Sequence, residues 1–437
     1  MSKPKLLIYA DAGQPTGFEK ITRGLATNLM DYYDLTVAGI GYYGQRDVAY
    51  YTFPVIPATL NPSKDFMGLG YFNNILEETE PDVILFIQDV WNVLPLAAKK
   101  PIDLPSVIYT LPDSPNLKWI YGFGLGLHSN VVTPTHFGAR ELVASVQSAL
   151  TEMKPGLSET EPTRTISLKD SAHNVVVRLD RLAAFQNETN INVVPIGINP
   201  VPDIITKAKA REQVNLPKDA FIILNVNTNS FRKRLDLTLV AFSRVLDFIP
   251  DAHLVLHAQG DQTTGWDLKQ LIKLLNLTND NITIFTDKLT EIELFMLYKC
   301  ADVQINTSTG EGWGLPAIEG WQVGVPQLVP DWSATREIWS EDARIRTKPH
   351  GFHYSNVNTM HGRISVSDLV NKICNLSRLR TNPVITLREW PSIAAEFNII
   401  IKHALNEPPM REMTLSQVFN ERLVHVESEA VKQMLYL

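Results

Sequence analysis

Short apolar runs closed by turn residues recur along this chain, and they recur as two series. Leu6–Ala10, Val37–Ile40, Val83–Ile87, Val107–Tyr109, Val131–Thr133 and Val193–Pro195 form the first; Phe221–Val226, Leu254–His257, Ile282–Phe285, Val303–Asn306 and Gln327–Val329 form the second. Runs that are apolar throughout, rather than alternately, suit strands buried on both faces, as in parallel sheets covered by helices. Several of the intervening stretches carry helical spacing, for example Phe18, Ile21, Leu25 and Leu29 behind a Thr16/Glu19 capping-box pattern. The expected fold class is therefore α/β, with two doubly wound, Rossmann-like domains in succession. A chain of 437 residues is long enough to bury a core in each.

The prolines of Pro200-Val201-Pro202-Asp203 interrupt any regular element, so the expected domains are 1–203 and 204–390. Residues 151–190 are polar and weakly periodic and read as an insertion in the first domain. Residues 391–437 read as a helical tail, with Ile393, Phe397, Ile400 and Ile401 on one face, placed to pack back on the first domain.

Bulk properties narrow the function. The net charge of −7 offers no overall attraction to polyanions. Cys300 and Cys374 stand alone, without the spacing of a zinc site or a disulfide framework, and no metal site is expected. The first apolar run is too short for a signal peptide, and no stretch approaches the roughly 20 apolar residues of a membrane span. A soluble, cytoplasmic protein without an integral membrane segment is the expectation.

In open α/β sheets, ligands bind at the carboxyl ends of the strands, so the loops there carry the functional signal. The strongest is Thr307-Ser308-Thr309-Gly310-Glu311-Gly312-Trp313-Gly314-Leu315-Pro316-Ala317-Ile318-Glu319. Its glycines permit close backbone approach, and Pro316 suits the start of a helix whose free N–H groups favour an anion. Glu311 and Glu319 bracket the turn and are spaced to accept hydrogen bonds from different hydroxyls of one extended ligand. The basic triplet Arg232-Lys233-Arg234 follows another strand, where a cation can meet a pyrophosphate. Gly13 and Gly17 lie in the first strand-to-helix turn, and Asp113 in the loop Thr110-Leu111-Pro112-Asp113-Ser114-Pro115. His128 and His136 are assigned packing or capping roles rather than acid–base ones.

The Glu311–Glu319 segment resembles the Glu-x7-Glu signature of retaining nucleotide-sugar glycosyltransferases of the GT-B fold, family 4 (group 1) type. Val226–Asp236 resembles that family's donor-phosphate segment, although its usual Gly-Arg pair is replaced here by Asn227-Thr228, and Thr133–Gly138 resembles a loop closing the first domain. The resemblance implies two domains facing a central cleft and a hexosyl- or pentosyltransferase that needs no metal or other cofactor. It assigns catalytic roles to Glu311, Lys233, Arg232 and Asp113. Donor binding goes to Gly13, Gly17, Arg232, Lys233, Phe285, Thr286, Glu311, Gly312, Trp313, Gly314, Leu315 and Glu319. The implied partners are a nucleotide-sugar donor and a hydroxyl acceptor in a glycan, lipid, protein or modified nucleobase, nucleic acid entering only in the last form. A catalytically silent GT-B nucleotide-sugar-binding subunit, or an epimerase or phosphorylase on the same fold, remain as alternatives.

Overall fold

The computed structural model describes residues 2–14, 16–44, 51–101, 103–152, 165–169, 174–201, 205–258, 265–352 and 359–407. The expected domain junction at Pro202-Asp203 and the tail beyond residue 407 lie outside them.

The first half alternates strands and helices: β1 (Lys5–Asp11), α1 (Gly17–Leu29), β2 (Asp34–Ile40), β3 (Val55–Pro57), α2 (Phe72–Thr79), β4 (Val83–Ile87), α3 (Val90–Lys99), β5 (Ser106–Tyr109), α4 (Trp119–Leu125), β6 (Asn130–Thr133) and α5 (His136–Glu152). An antiparallel hairpin, β7 (Thr165–Lys169) and β8 (Asn174–Arg178), then α6 (Leu179–Ala184), occupies the stretch read as an insertion, before β9 (Asn192–Val193) returns to the sheet. The strand order is β3-β2-β1-β4-β5-β6-β9, with every neighbour parallel.

The pattern restarts with α7 (Lys207–Gln213), β10 (Phe221–Val226), α8 (Leu235–Val245), β11 (Ala252–His257), α9 (Leu268–Leu274), β12 (Ile282–Phe285), α10 (Glu291–Cys300), β13 (Val303–Ile305), α11 (Leu315–Gln322), β14 (Gln327–Pro330), α12 (Ser333–Ile338) and β15 (Arg344–Ile345). These strands form a second parallel sheet, β12-β11-β10-β13-β14-β15. A hairpin, β16 (Thr347–Phe352) and β17 (Met360–Ile364), precedes α13 (Val366–Cys374) and α14 (Trp390–Leu405).

The alternation of side chains along each strand divides the cores. Leu6, Ile8 and Ala10 of β1 point into one apolar cluster with α1 and α14, while Leu7 and Tyr9 point into another under α2 to α5. In the second sheet Ile223 and Leu254 face one layer, and Ile222, Leu224 and Val255 face the other. The cluster beneath α1 does not stop at the edge of its own sheet. It runs on through Trp313, Ile318 and Trp339 of the second unit, so one apolar core continues beneath the cleft.

Although α14 follows the second sheet in sequence, it packs on the first, against α1, β4, β5 and β6. Phe397 meets Tyr109 edge-on at 5.0 Å, and Asn398 Oδ1 accepts from the Tyr33 hydroxyl at 2.9 Å. The chain therefore crosses between the units a second time, beside its first crossing: the Ile198 amide donates to the Arg388 carbonyl at 2.9 Å. Trp390 fills this crossing. A Cβ on Gly24 of α1 would fall 2.2 Å from the indole, and one on Gly197 would fall 2.5 Å from it, so both positions require the absence of a side chain. Trp390→Ala is expected to lower stability by about 3–5 kcal/mol, as for a buried tryptophan that leaves a cavity. A urea midpoint unchanged from that of the parent would disprove this packing role.

Candidate functional site

In each sheet the strand order reverses beside the first strand, between β1 and β4 and between β10 and β13. Loops leaving such a reversal diverge to opposite faces and open a crevice. Here the two crevices meet. Gly17, at the start of α1, lies against Leu315, at the start of α11; a Cβ on Gly17 would stand 3.6 Å from Leu315 Cδ1. Two helix N-termini, each a source of free N–H groups and positive potential, thus border the same cleft.

The loop after β13 is knitted to the loop after β10. Thr307 Oγ1 donates to the Lys233 carbonyl at 3.0 Å, the Thr309 amide donates to the Arg232 carbonyl at 2.9 Å, and Asn225 reaches Thr307 through Thr238. This fixes the charged residues relative to one another. Lys233 Nζ donates to Glu311 Oε1 at 2.6 Å, as does Asn306 Nδ2 at 3.0 Å. The Arg232 guanidinium donates to the Gly310 carbonyl at 2.5 Å and lies 3.6 Å from Glu311 Oε2. It also lies 3.2 Å from Asp113 Oδ2, which comes from the first sheet. Four of the expected residues, Arg232, Lys233, Glu311 and Asp113, thus form one ionic cluster across the cleft.

Close approach is built into the backbone. A Cβ on Gly310 would fall 2.1 Å from the Asp113 carbonyl oxygen, and one on Gly312 would fall 2.7 Å from that of Leu111. Gly314 takes φ +86 as the N-cap of α11, a conformation that favours glycine. Ser333, at φ +50, holds the loop from behind: its hydroxyl donates to the Glu311 carbonyl at 3.0 Å and accepts from the Glu311 amide at 2.9 Å. Ser308 Oγ, Thr309 Oγ1 and Trp313 Nε1 are buried in this loop without partners among the described residues.

Glu319 lies on α11, buried, bonded to Lys20 of α1 and to the Tyr298 hydroxyl at 2.7 Å. Lys20, Tyr298, Asn306 and Ser333 are site residues that sequence reasoning did not find, because each reaches the cleft from an element read only as scaffold. Asp89 is a further omission. It lies two residues beyond β4, at the N-cap of α3, where the rule that points to strand-end loops could have found it. Glu19 departs from the expected capping box: Thr16 accepts from the Glu19 amide at 3.0 Å, but the Glu19 carboxylate turns to Tyr51 and Arg23. Gly13 gives its amide to the Tyr51 hydroxyl at 2.7 Å. The carbonyl of Phe285 is already engaged by the Ala258 amide at 2.9 Å, leaving exposed Thr286 as the freer backbone at that edge. His128 packs edge-on against Phe86 and bonds Ser106, whereas His136 begins α5 with its amide bonded to Glu337.

Burial works to raise the pKa of Glu311, but the Lys233 ammonium, the Arg232 guanidinium and hydrogen bonds from Lys233 and Asn306 outweigh it and hold the carboxyl at about 2. Burial and the neighbouring Arg232 lower the pKa of Lys233 despite its pairing with Glu311. Asp89 is pushed up by burial and by repulsion from Asp113, with Arg232 opposing, and Asp11 is pushed up by burial. Among the described residues no group of three or more His, Cys, Asp or Glu side chains is arranged to hold a metal ion, and no helix is long and apolar enough to cross a membrane.

Residues 206–361 match the model of the family described as glycosyl transferases group 1. The chain is 28% identical over 155 residues to the alpha-monoglucosyldiacylglycerol synthase of Streptococcus pneumoniae (strain ATCC BAA-255 / R6), a match covering 34% of each chain, so it spans about a third of that relative's length. Among solved structures it is similar to HepE of Anabaena in complex with UDP-glucose, with a TM-score of 0.60, 14% identity, and coverage of 92% of this chain and 98% of that one. It is also similar to sucrose-phosphate synthase from Thermosynechococcus elongatus, with a TM-score of 0.59, 15% identity, and coverage of 92% and 98%. The fold is of the GT-B type: two Rossmann-like sheets facing a cleft. The matched family segment, 206–361, takes in the second sheet and the Glu311 loop.

The ionic cluster has a measurable acid signature. A carboxyl whose folded-state pKa lies near 2, against an ordinary 4.5, contributes stability above the ordinary value and loses it as pH falls toward 2. Asp11 and Asp89, with raised pKa values, act in the opposite sense, so the contribution of Glu311 is read as a difference between proteins. Denaturation of wild type and Glu311→Gln between pH 7 and 2 should show a shallower acid slope in the variant. Parallel slopes would mean that the ion pairs do not form.

Proposed function

We propose that the chain is a retaining glycosyltransferase that moves a sugar from a nucleoside-diphosphate donor to an acceptor hydroxyl. The observation that carries this reading is the convergence, where both sheets present their carboxyl edges, of Lys233, Arg232 and Glu311 with the N-terminus of α11. Breaking a glycosyl–phosphate bond builds negative charge on the departing diphosphate and positive character on the anomeric carbon. Cations and helix N–H groups fixed in a cleft walled from water stabilise the first without reorganising, and such fixed charge is often the largest catalytic contribution.

In this reading Lys233 and Arg232 face the diphosphate, and the turn from Gly312 to Leu315 places backbone N–H groups beside it. Glu311 stays ionised and holds Lys233 in position until the donor arrives, then serves as a hydrogen-bond acceptor for a sugar hydroxyl. Glu319 grips the nucleoside after exchanging Lys20 for a ribose hydroxyl. Gly13 and Gly17 supply a side-chain-free wall from the first unit, and the exposed backbone at Thr286 borders the base. Asp113, from the first unit and paired with Arg232, stands on the acceptor side. Retention follows if a donor phosphate oxygen takes the acceptor proton on the face the leaving group vacates, so neither a protein base nor a metal is required. The match of residues 206–361 to glycosyl transferases group 1, and the likeness to a protein solved with UDP-glucose, support a nucleotide-sugar as donor.

The reading is tested by kinetics with nucleotide-sugars and a panel of hydroxyl acceptors. Lys233→Ala should cut kcat by roughly 100-fold or more while leaving donor affinity within a few-fold, as expected for a charge that acts mainly in the transition state. Glu319→Ala should instead weaken nucleotide binding by about tenfold, the loss of one or two hydrogen bonds to a carboxylate. Tight nucleotide binding without turnover on any acceptor would reassign the chain as a silent subunit; wild-type kinetics in both variants would remove the site assignment altogether.

A further inference from the structure

A cavity of about 610 Å³ opens between the two units beside the ionic cluster, lined in part by Pro115, Phe137, Arg140, Trp332 and Arg336. Its walls come from the starts of α5 and α12, which follow the carboxyl ends of β6 and β14. Ser333, also in its lining, is the residue whose hydroxyl clamps Glu311, and Pro115 follows Asp113 by two positions. In the second sheet β12 and β14 lie on opposite sides of β13, so the cavity and the edge assigned to the nucleobase flank the Glu311 loop from opposite sides. A ligand in the cavity therefore approaches the Glu311 loop without overlapping the edge assigned to the nucleobase.

The lining has a definite chemistry. Glu337 accepts from the amides of His136 at 2.9 Å and Phe137 at 2.7 Å, committing both its oxygens to the start of α5, and its nearest approach to Arg140 is a loose 3.9 Å. Asp331 is shared by Arg336 at 3.3 Å and Arg344 at 3.5 Å. In the lining itself two guanidiniums, Arg140 and Arg336, thus stand against one carboxylate, Glu337, and their side chains are 54% and 64% exposed. Guanidinium forks with uncommitted N–H donors suit a phosphate. Between them Pro115, Phe137 and Trp332 provide flat faces of the kind that ring ligands cover. Trp332 is pinned, since a Cβ on Gly362 would fall 2.6 Å from its indole, and its buried N–H has no partner among the described residues.

We infer that this cavity is the acceptor subsite and that the acceptor is a hydroxylated ring carrying a phosphate, its phosphate held by Arg140 and Arg336 and its ring against Phe137 and Trp332. The inference rests on the proposed transfer reaction and names the substrate class for it. An acceptor hydroxyl oxygen forms the new bond to the anomeric carbon, the bond from that carbon to the diphosphate oxygen breaks with its electron pair leaving on the diphosphate, and the hydroxyl proton departs with it. The phosphate comes either from a soluble sugar phosphate or from a phosphoinositol lipid headgroup.

The test uses the full chain, wild type and Arg140→Gln/Arg336→Gln, with glucose 6-phosphate, glucose, and vesicles of phosphatidylinositol or phosphatidylcholine as probes. Wild type should bind glucose 6-phosphate about tenfold more tightly than glucose, or sediment with phosphatidylinositol but not phosphatidylcholine vesicles; which of the two occurs identifies the source of the phosphate. The double variant should lose that preference while binding UDP as wild type does, which also shows that it is folded. Equal binding of glucose and glucose 6-phosphate together with no vesicle preference, or a preference that survives in the double variant, would overturn the inference. Failure of wild type to bind UDP or UDP-glucose would strike the transfer reading instead, since phosphate recognition in the cavity is measured without any nucleotide.

Discussion

Glu311 sits where its charge can be kept only by the residues around it. A carboxylate taken out of water is costly to hold ionised unless it is paired and hydrogen-bonded. Lys233, Arg232 and Asn306 meet that demand from the second unit, and Arg232 is in turn balanced by Asp113 from the first. The cluster is therefore complete only when both units are in contact. Removing one member leaves the others buried and uncompensated, which makes the arrangement sensitive to geometry.

That dependence explains the backbone around it. The Glu311 loop can reach Asp113 only because Gly310 and Gly312 leave room for the opposing carbonyls, and it holds its course because Ser333 bonds both the amide and the carbonyl of Glu311. Beneath the cleft the shared apolar cluster and the return of α14 to the first sheet give the units a common base, with Trp390 wedged between Gly24 and Gly197. The polar half of the contact, from Lys20–Glu319 to Arg232–Asp113, lies above this base. Water can replace one ionic contact with modest loss, whereas exposing the apolar base carries a cost proportional to its area. The fold thus combines a persistent pivot with an exchangeable polar surface, the combination that a ligand entering between two units requires.

The strands were largely legible because burial on both faces leaves an unbroken apolar run. β1, β4, β5, β10, β11 and β12 all appear where such runs occur. The short edge strand β15 and the hairpin β16–β17 carry no such run, since an edge or exposed strand need bury little, and β3 is obscured by Pro54 and Pro57; Thr347–Phe352 is largely exposed. The site was legible where chemistry and backbone are local: Glu311, its glycines and Lys233 sit within two short segments. It was illegible where function depends on a partner distant in sequence. Nothing near Lys20 signals that it meets Glu319, and the positive φ of Ser333 belongs to a residue type that gives no warning of it. The Glu19 cap was misread for a related reason, since Tyr51 and Arg23 compete for the same carboxylate.

The placement of Arg232 shows what sets the position of a charge in this cleft. Where the resembling family carries a Gly-Arg pair, this chain has Asn227-Thr228, and neither side chain can supply a permanent positive charge. Asn227 instead donates to Asn225 within the strand-end network at 2.7 Å. The guanidinium enters four residues beyond Thr228, from the short helical turn Phe231–Lys233, and reaches the Gly310 carbonyl and both acidic partners from there. An arginine side chain spans several ångströms and projects its charge at the end of a flexible stem, so the position of the charge is set by what the fork binds more than by the Cα that bears it. The carbonyl of Gly310 and the carboxylates of Asp113 and Glu311 define that end point, and they lie on the loops the two sheets bring together. The place of the positive charge in this cleft is thus set by those acceptors, although the arginine itself arises four residues further along the loop after β10.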